Sequence, residues 1–290
     1  MTGPLFDSYL IVDWSAAGIP KRGPDSVWLR LESRAGSLLE NPATRAEARA
    51  RILTLVLEAL QQGQRILVGL DFGFGYPVGF AEALGLAGSP WRAVWNELCR
   101  RIDDRATNSN NRFQAAAEIN QRLTGGRGPF WGCPRSAENE FLGCRRNDAS
   151  LAGLAERRLC EQRLRRSHPV WKLYTTGSVG SQTLLGIPRL ASLLSDPRLA
   201  GRAAVWPFET GLTAPYSPGA IFAEIYPSMR IAEARPGEVK DSAQVRTLAR
   251  WFRELGQKER LSELFEGPAD LTPDERRQVE SEEGWILGVL

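Results

Sequence analysis

A chain of 290 residues with 42% apolar and 9% aromatic side chains is long enough to bury a real core, as one large domain or two small ones. Lys+Arg at 37 against Asp+Glu at 34 leaves a net charge of +3, which permits a phosphate-bearing partner without demanding one. No run approaches the ~20 apolar residues of a membrane span, and residues 1–7 lack a basic stretch followed by an apolar one, so the expected location is the cytoplasm, away from any membrane.

In chain order, Ser8 to Trp14 (SYLIVDW) is a β-branched and aromatic run suited to a buried strand. Gly18, Pro20 and Gly23 mark a loop, and Ser26 to Glu32 (SVWLRLE) alternates as a half-exposed strand does. Residues 35–39 add a short third strand. Thr44 is placed as a helix N-cap with Glu47 three positions on, and Ala48, Ile52, Leu55, Val56 and Ala59 recur at helical spacing as far as Gly63. Arg65 to Asp71 (RILVGLD) then reads as a strand covered on both faces.

Beyond Phe72 the pattern loosens. Helices are expected at Trp91 to Ile102, Arg112 to Leu123 and Leu151 to Arg166, separated by Gly/Pro loops. Strand character returns at Ala203 to Pro207 and Ala220 to Tyr226, followed by an amphipathic helix from Asp241 to Leu255. From Pro273 a charged helix leads into the apolar Trp285 to Leu290. The expected organisation is a single domain, with a core of 1–72 and 202–260, a mostly helical insertion at 73–201 and a helical tail at 261–290.

The four cysteines, Cys99, Cys133, Cys144 and Cys160, have no Cys-x-x-Cys spacing, so they are read as reduced, mostly buried thiols. The lone His168 excludes any multi-histidine metal site. The acids carry the functional signal. Asp13 and Asp71 each close an apolar strand, where a carboxylate cannot be buried alone without a large desolvation cost. Ligands collect at such strand ends in open α/β sheets. If the two strands are neighbours, the like charges need a proton, an arginine or a divalent cation between them. Glu224, near the end of the last strand, and Asp241, opening the late helix, complete a four-acid set suited to Mg²⁺ or Mn²⁺.

VDWSA at 12–16, GLDFGFGYP at 69–77, AEIYPS at 223–228 and KDSAQVRTLA at 240–249 resemble the predicted nucleases of the family catalogued as domain of unknown function 429, within the RNase H-like superfamily. The resemblance spans the two ends of the chain. It implies an α/β fold with an RNase H-like mixed sheet flanked by helices, and it maps Asp13, Asp71 and Asp241 onto the superfamily's metal-ligand pattern. Many RNase H-type enzymes add a glutamate from the first helix. Glu47 lies too near the start of that helix to match, and Glu224 is its expected replacement.

The central segment adds Arg112, Lys172 and Ser178 as candidate substrate contacts. Lys172 to Thr183 (KLYTTGSVGSQT) is Gly/Ser/Thr-rich, and its backbone N–H groups suit a phosphate although no Gly-Lys-Ser/Thr is present. The expected activity is a metal-dependent nuclease or phosphodiesterase acting on nucleic acid or a phosphorylated small molecule. The alternatives are an actin-like or sugar-kinase-type phosphotransferase and a non-catalytic nucleic-acid-binding module.

Overall fold

The computed structural model describes residues 3–146, 151–164, 167–217 and 219–290. Among them, six strands form one mixed sheet: β1 (Ser8–Asp13), β2 (Trp28–Ser33), β3 (Gly36–Glu40), β4 (Ile66–Leu70), β5 (Ala203–Val205) and β6 (Ala220–Glu224). Their spatial order is β3-β2-β1-β4-β6-β5. The first three strands form an antiparallel meander, and β1, β4, β6 and β5 run parallel to one another. Helices α1 (Arg45–Gln61), α2 (Phe80–Ala83), α3 (Pro90–Arg101), α4 (Arg112–Thr124), α5 (Leu159–Gln162), α6 (Val179–Leu194), α7 (Lys240–Gln257) and α8 (Pro273–Gln278) complete the chain.

The strand alternation of period two decides which helix covers which face. Leu10 and Val12 of β1 and Ile66, Val68 and Leu70 of β4 pack into one core with Ile52 and Val56 of α1. Tyr9, Ile11 and Leu67 point the other way, into a second core with Val245, Leu248 and Phe252 of α7. Because both faces of β4 are covered, all five of its residues are buried, which accounts for its continuous apolar run. α1 starts where its cap chemistry dictates: Thr44 accepts the Glu47 amide at 3.1 Å, and Glu47 Oε2 accepts the Ala43 amide at 2.9 Å. Glu47 is thereby committed to the helix end.

Two expectations for the central segment need correction. Leu151 to Arg166 is not one helix. Ala152 and Gly153 adopt positive φ, and only Leu159–Gln162 is helical, with Arg165 and Arg166 outside the described residues. The interruption serves Arg158, which must reach inward rather than lie along a helix surface. Lys172 to Thr183 is only partly loop. From Val179 the chain is helical for 16 residues and continues through Pro188. Residues of α2, α3, α4 and α6 share the apolar core on the α1 side of the sheet, so the 73–201 segment is packed into the same body as the strands. The apolar tail from Trp285 lies beside β6, where the Leu287 amide donates to the Glu224 carbonyl at 2.9 Å. No helix among the described residues is long and apolar enough to cross a membrane.

Candidate metal centre and cleft

Val12 of β1 stands opposite Leu70 of β4 in parallel register, and the Asp71 amide donates to the Val12 carbonyl at 3.0 Å. Asp13 and Asp71 are therefore the next residues along two adjacent strands. Both follow the parity of Ile11, and so sit on the α7 side. The space beneath them is kept tight by Gly69, where a Cβ would lie 2.8 Å from Ile225 Cγ2 and 3.0 Å from Ile11 Cδ1.

The two carboxyls hydrogen-bond to one another. Burial is the main reason that Asp13 is raised well above the ordinary carboxylate range, with the charges of Asp71 and Asp241 adding to it. Burial also pushes Asp71 up to about 7, opposed by the hydrogen bond from Asp13 and reinforced by Glu224 and Asp241. Both shifts run in the direction that favours keeping a proton between the two carboxyls, the expected response of two like charges brought together in a poorly solvated place.

Asp241 comes from the first turn of α7, and its Oδ2 accepts the Asp25 amide at 2.7 Å. It faces the pair closely enough to act on both acids electrostatically. Glu224 does not join them in the same way. It is paired with Leu70 in the sheet and shares that residue's face, and it is held there by Arg158. Arg158 Nη1 donates to Glu224 Oε2 at 2.8 Å and Nη2 to Oε1 at 2.6 Å, while Oε2 also accepts the Phe74 amide at 2.9 Å. With Asp241 on a backbone amide and Glu224 on a guanidinium, no three Asp, Glu, Cys or His side chains among the described residues stand ready-gathered as a metal cage.

A cleft of about 580 Å³ opens at Asp13, while Asp71 lies outside its lining, in a separate small pocket with Arg158 and Glu224. One wall carries Asp13, Asp25 and Asp241. The other is built by Arg112 and the Leu173–Ser178 loop that leads into α6. Arg112 donates from Nε to Ser181 Oγ at 2.9 Å and from Nη1 to Asn110 Oδ1 at 2.8 Å, and its guanidinium lies 4.2 Å from the Phe113 ring centre. These partners are neutral. Burial, helped by the nearby Arg45 and opposed by the charge of Asp104, lowers the Arg112 pKa to about 10, and the guanidinium forms no ion pair among the described residues. Ser178 lines the cleft at the N-terminus of α6 and makes no side-chain cap bond.

Lys172 is placed differently from its expected role. Its Nζ donates to the Thr176 carbonyl at 2.6 Å and lies 5.8 Å from the Trp131 ring centre, behind the cleft wall. It braces the loop and is not part of the cleft lining. The loop is held from the other side by His168, whose ring occupies the space that a side chain on Gly177 would take. Thr175 and Gly177 both have positive φ.

Several residues that shape the cleft carried no signal of their own in the sequence. Arg45, fully buried, donates to the Ser15 carbonyl at 3.1 Å and the Ala17 carbonyl at 2.7 Å, and pairs with Asp104 at 2.6 Å. Gln182 bridges to the Trp14 carbonyl at 2.5 Å. Lys21, Asp25 and Gln244 complete the rim. Their types are ordinary, and it is the tertiary fold that gathers them, Lys21 and Asp25 from the 15–26 loop and Arg45, Gln182 and Gln244 from α1, α6 and α7. The thiols stand apart from the cleft and are free: Cys133 and Cys160 are buried, Cys144 is half-buried and Cys99 exposed.

The chain matches no protein-family model, no curated protein and no solved structure.

Proposed function

We propose that this protein is a divalent-metal-dependent phosphodiesterase of RNase H-like fold, with a nucleic-acid strand as substrate. The observation that carries this reading is the Asp13–Asp71 pair, in register at the ends of adjacent parallel strands, with Asp13 lining a cleft whose far wall carries Arg112, a guanidinium that forms no ion pair among the described residues. The strand order β3-β2-β1-β4 with β2 antiparallel supports the resemblance to the RNase H-like superfamily and to the domain of unknown function 429 family. A single sheet favours it over a phosphotransferase built from two such cores.

Asp13, Asp71 and Asp241 are the residues that would hold Mg²⁺ or Mn²⁺, and their all-oxygen chemistry suits these ions. The ion would supply Lewis acidity toward a phosphoryl oxygen and lower the pKa of water. The protein supplies the rest. Asp13 and Asp71, fixed by neighbouring strands, would offer a cation rigid carboxylate oxygens. Arg112 aims a guanidinium at a non-bridging phosphate oxygen, and Ser178 adds a hydroxyl. Glu224 serves as the counter-charge of Arg158 and steadies the Phe74 turn beside Asp71.

Calorimetric titration with Mn²⁺, alongside hydrolysis of single- and double-stranded DNA and RNA, tests the reading. Wild type should bind Mn²⁺ and cleave, and Asp13→Asn and Asp71→Asn should do neither. Equal Mn²⁺ binding by all three proteins removes the carboxylate site.

A further inference from the structure

One basic cluster on the described surface lies outside the cleft. Arg30 of β2 pairs with Glu32 Oε1 at 2.5 Å, Arg253 of α7 reaches Glu32 Oε2 at 3.1 Å, and Arg250 lies 3.8 Å from Oε1. Three guanidinium groups thus share one carboxylate, and Glu32 is almost fully buried beneath them. The charges of Arg253 and Arg34 also reach Tyr9 from this side, opposed by Asp7. Glu254, exposed on the same helix, forms no ion pair among the described residues. The cluster keeps a positive excess, and the Arg250 and Arg253 side chains are 46% and 38% exposed.

Three guanidiniums also meet on buried Glu97, but there Arg101 is shared with a second acid, Glu118; at Glu32 no second acid among the described residues pairs with Arg30, Arg250 or Arg253, and the added like charges repel. The position is informative. Asp13 stands opposite Trp28 in β2, and Glu32 is four residues further along that strand, roughly 13 Å at about 3.3 Å per residue. Only a ligand longer than a single nucleotide spans the two places. The cleft, about 580 Å³ with the exposed Tyr174 on its rim, is the size of a small-molecule pocket. It admits an extended strand with a base against an aromatic ring, and it is too small for a duplex.

We infer that the Arg30–Arg250–Arg253 cluster is a second phosphate site, which holds the backbone of a single-stranded nucleic acid whose neighbouring segment lies in the cleft. This rests on reading the cleft as a phosphodiester site, but the contact itself needs no metal. The strand's phosphates replace the missing counter-charges, so affinity grows with strand length until both sites are filled.

Fluorescence anisotropy with labelled thymidine oligonucleotides of two and fifteen residues, in EDTA and over a range of salt, tests the inference. Wild type should bind the longer strand more tightly than the shorter one or a fifteen-base-pair duplex. Arg250→Ala/Arg253→Ala should lose about tenfold on the longer strand, with its salt slope smaller by about 1.4 for two lost phosphate contacts. Affinity for the shorter strand should not move, and Arg250→Lys/Arg253→Lys should restore much of the loss. The inference is overturned if the alanine variant keeps wild-type affinity and slope, if strand length has no effect, if the duplex binds as well, or if neither strand binds. Mn²⁺ titration of the same samples separates the two readings. Length-dependent binding without Mn²⁺ binding sinks the metal centre alone.

Discussion

Glu224 and Arg158 form a two-pronged ion pair with both side chains buried, in a small pocket that Asp71 also lines and that is separate from the cleft at Asp13. The geometry separates two jobs that the four acids seemed to share. It yields a direct prediction. Arg158→Met leaves Glu224 and Glu161 as uncompensated buried acids, which costs about 3–5 kcal/mol. Glu224→Gln keeps a hydrogen-bonding shape and costs about 1–3 kcal/mol. Urea denaturation measures both. Calorimetry on Glu224→Gln should return the wild-type Mn²⁺ affinity, and a lost affinity places Glu224 among the ligands after all.

The acid pair makes metal-free stability depend on pH. Asp71 titrates at about 7 in the folded chain, against an ordinary 3.8. A carboxyl raised on folding holds its proton more tightly in the native state. Its stabilising contribution is therefore complete below pH ~4 and is lost as pH climbs through 7. The melting temperature of the metal-free protein should fall from pH 5 to pH 8. In Asp71→Asn that part of the slope should vanish, and an unchanged slope would show that Asp71 is ionised throughout.

Arg112 should contribute to anion affinity rather than to the fold. Its partners are a hydroxyl, an amide and an aromatic face, so Arg112→Ala strands no buried acid. We expect a change in melting temperature of a few degrees at most and a loss of about 1.5–3 kcal/mol in binding of a short oligonucleotide, the range for a charge-assisted hydrogen bond. Arg112→Lys should recover only part, because the planar fork is lost. Anisotropy titration reads this directly, and undiminished binding by Arg112→Ala would move the phosphate elsewhere.

Gly177 tests the loop. Its φ is +75°, and a Cβ there would overlap the His168 ring. Gly177→Ala should lower stability by about 1–3 kcal/mol and weaken oligonucleotide binding, through both the conformational cost and the clash. Adding His168→Ala removes the clash but not the strained φ. The double variant should therefore be less damaged than the sum of the single changes, a coupling that additive losses would refute.

The sheet was legible because its strands carry unambiguous periods. SYLIVD and RILVGL are apolar runs of strand length, and their carboxylate endings placed Asp13 and Asp71 at the same edge. Thr44 and Glu47 announced the start of α1 through a local hydrogen-bond pattern that needs no tertiary information. Glu224 was harder to read. Both faces of β6 are apolar, so AIFAEIY does not say which face its acid takes. α6 was hidden because it opens with small polar residues and contains Pro188, both poor helix signals. The Leu151 to Arg166 segment was misjudged because the role of Arg158 depends on partners distant in sequence. Arg158 reaches strand and tail alike.

Arg158 also bears on how the chain folds. It lies 66 residues from Glu224 and 125 from Glu283, whose carbonyl accepts from its Nη1 at 3.0 Å. A partly folded chain that buries this guanidinium before all three segments have met carries an uncompensated charge in its interior. Half-assembled forms are therefore penalised. Pairing of β6 into the sheet, docking of the tail and ordering of the turn beside Asp71 are bound into one cooperative event.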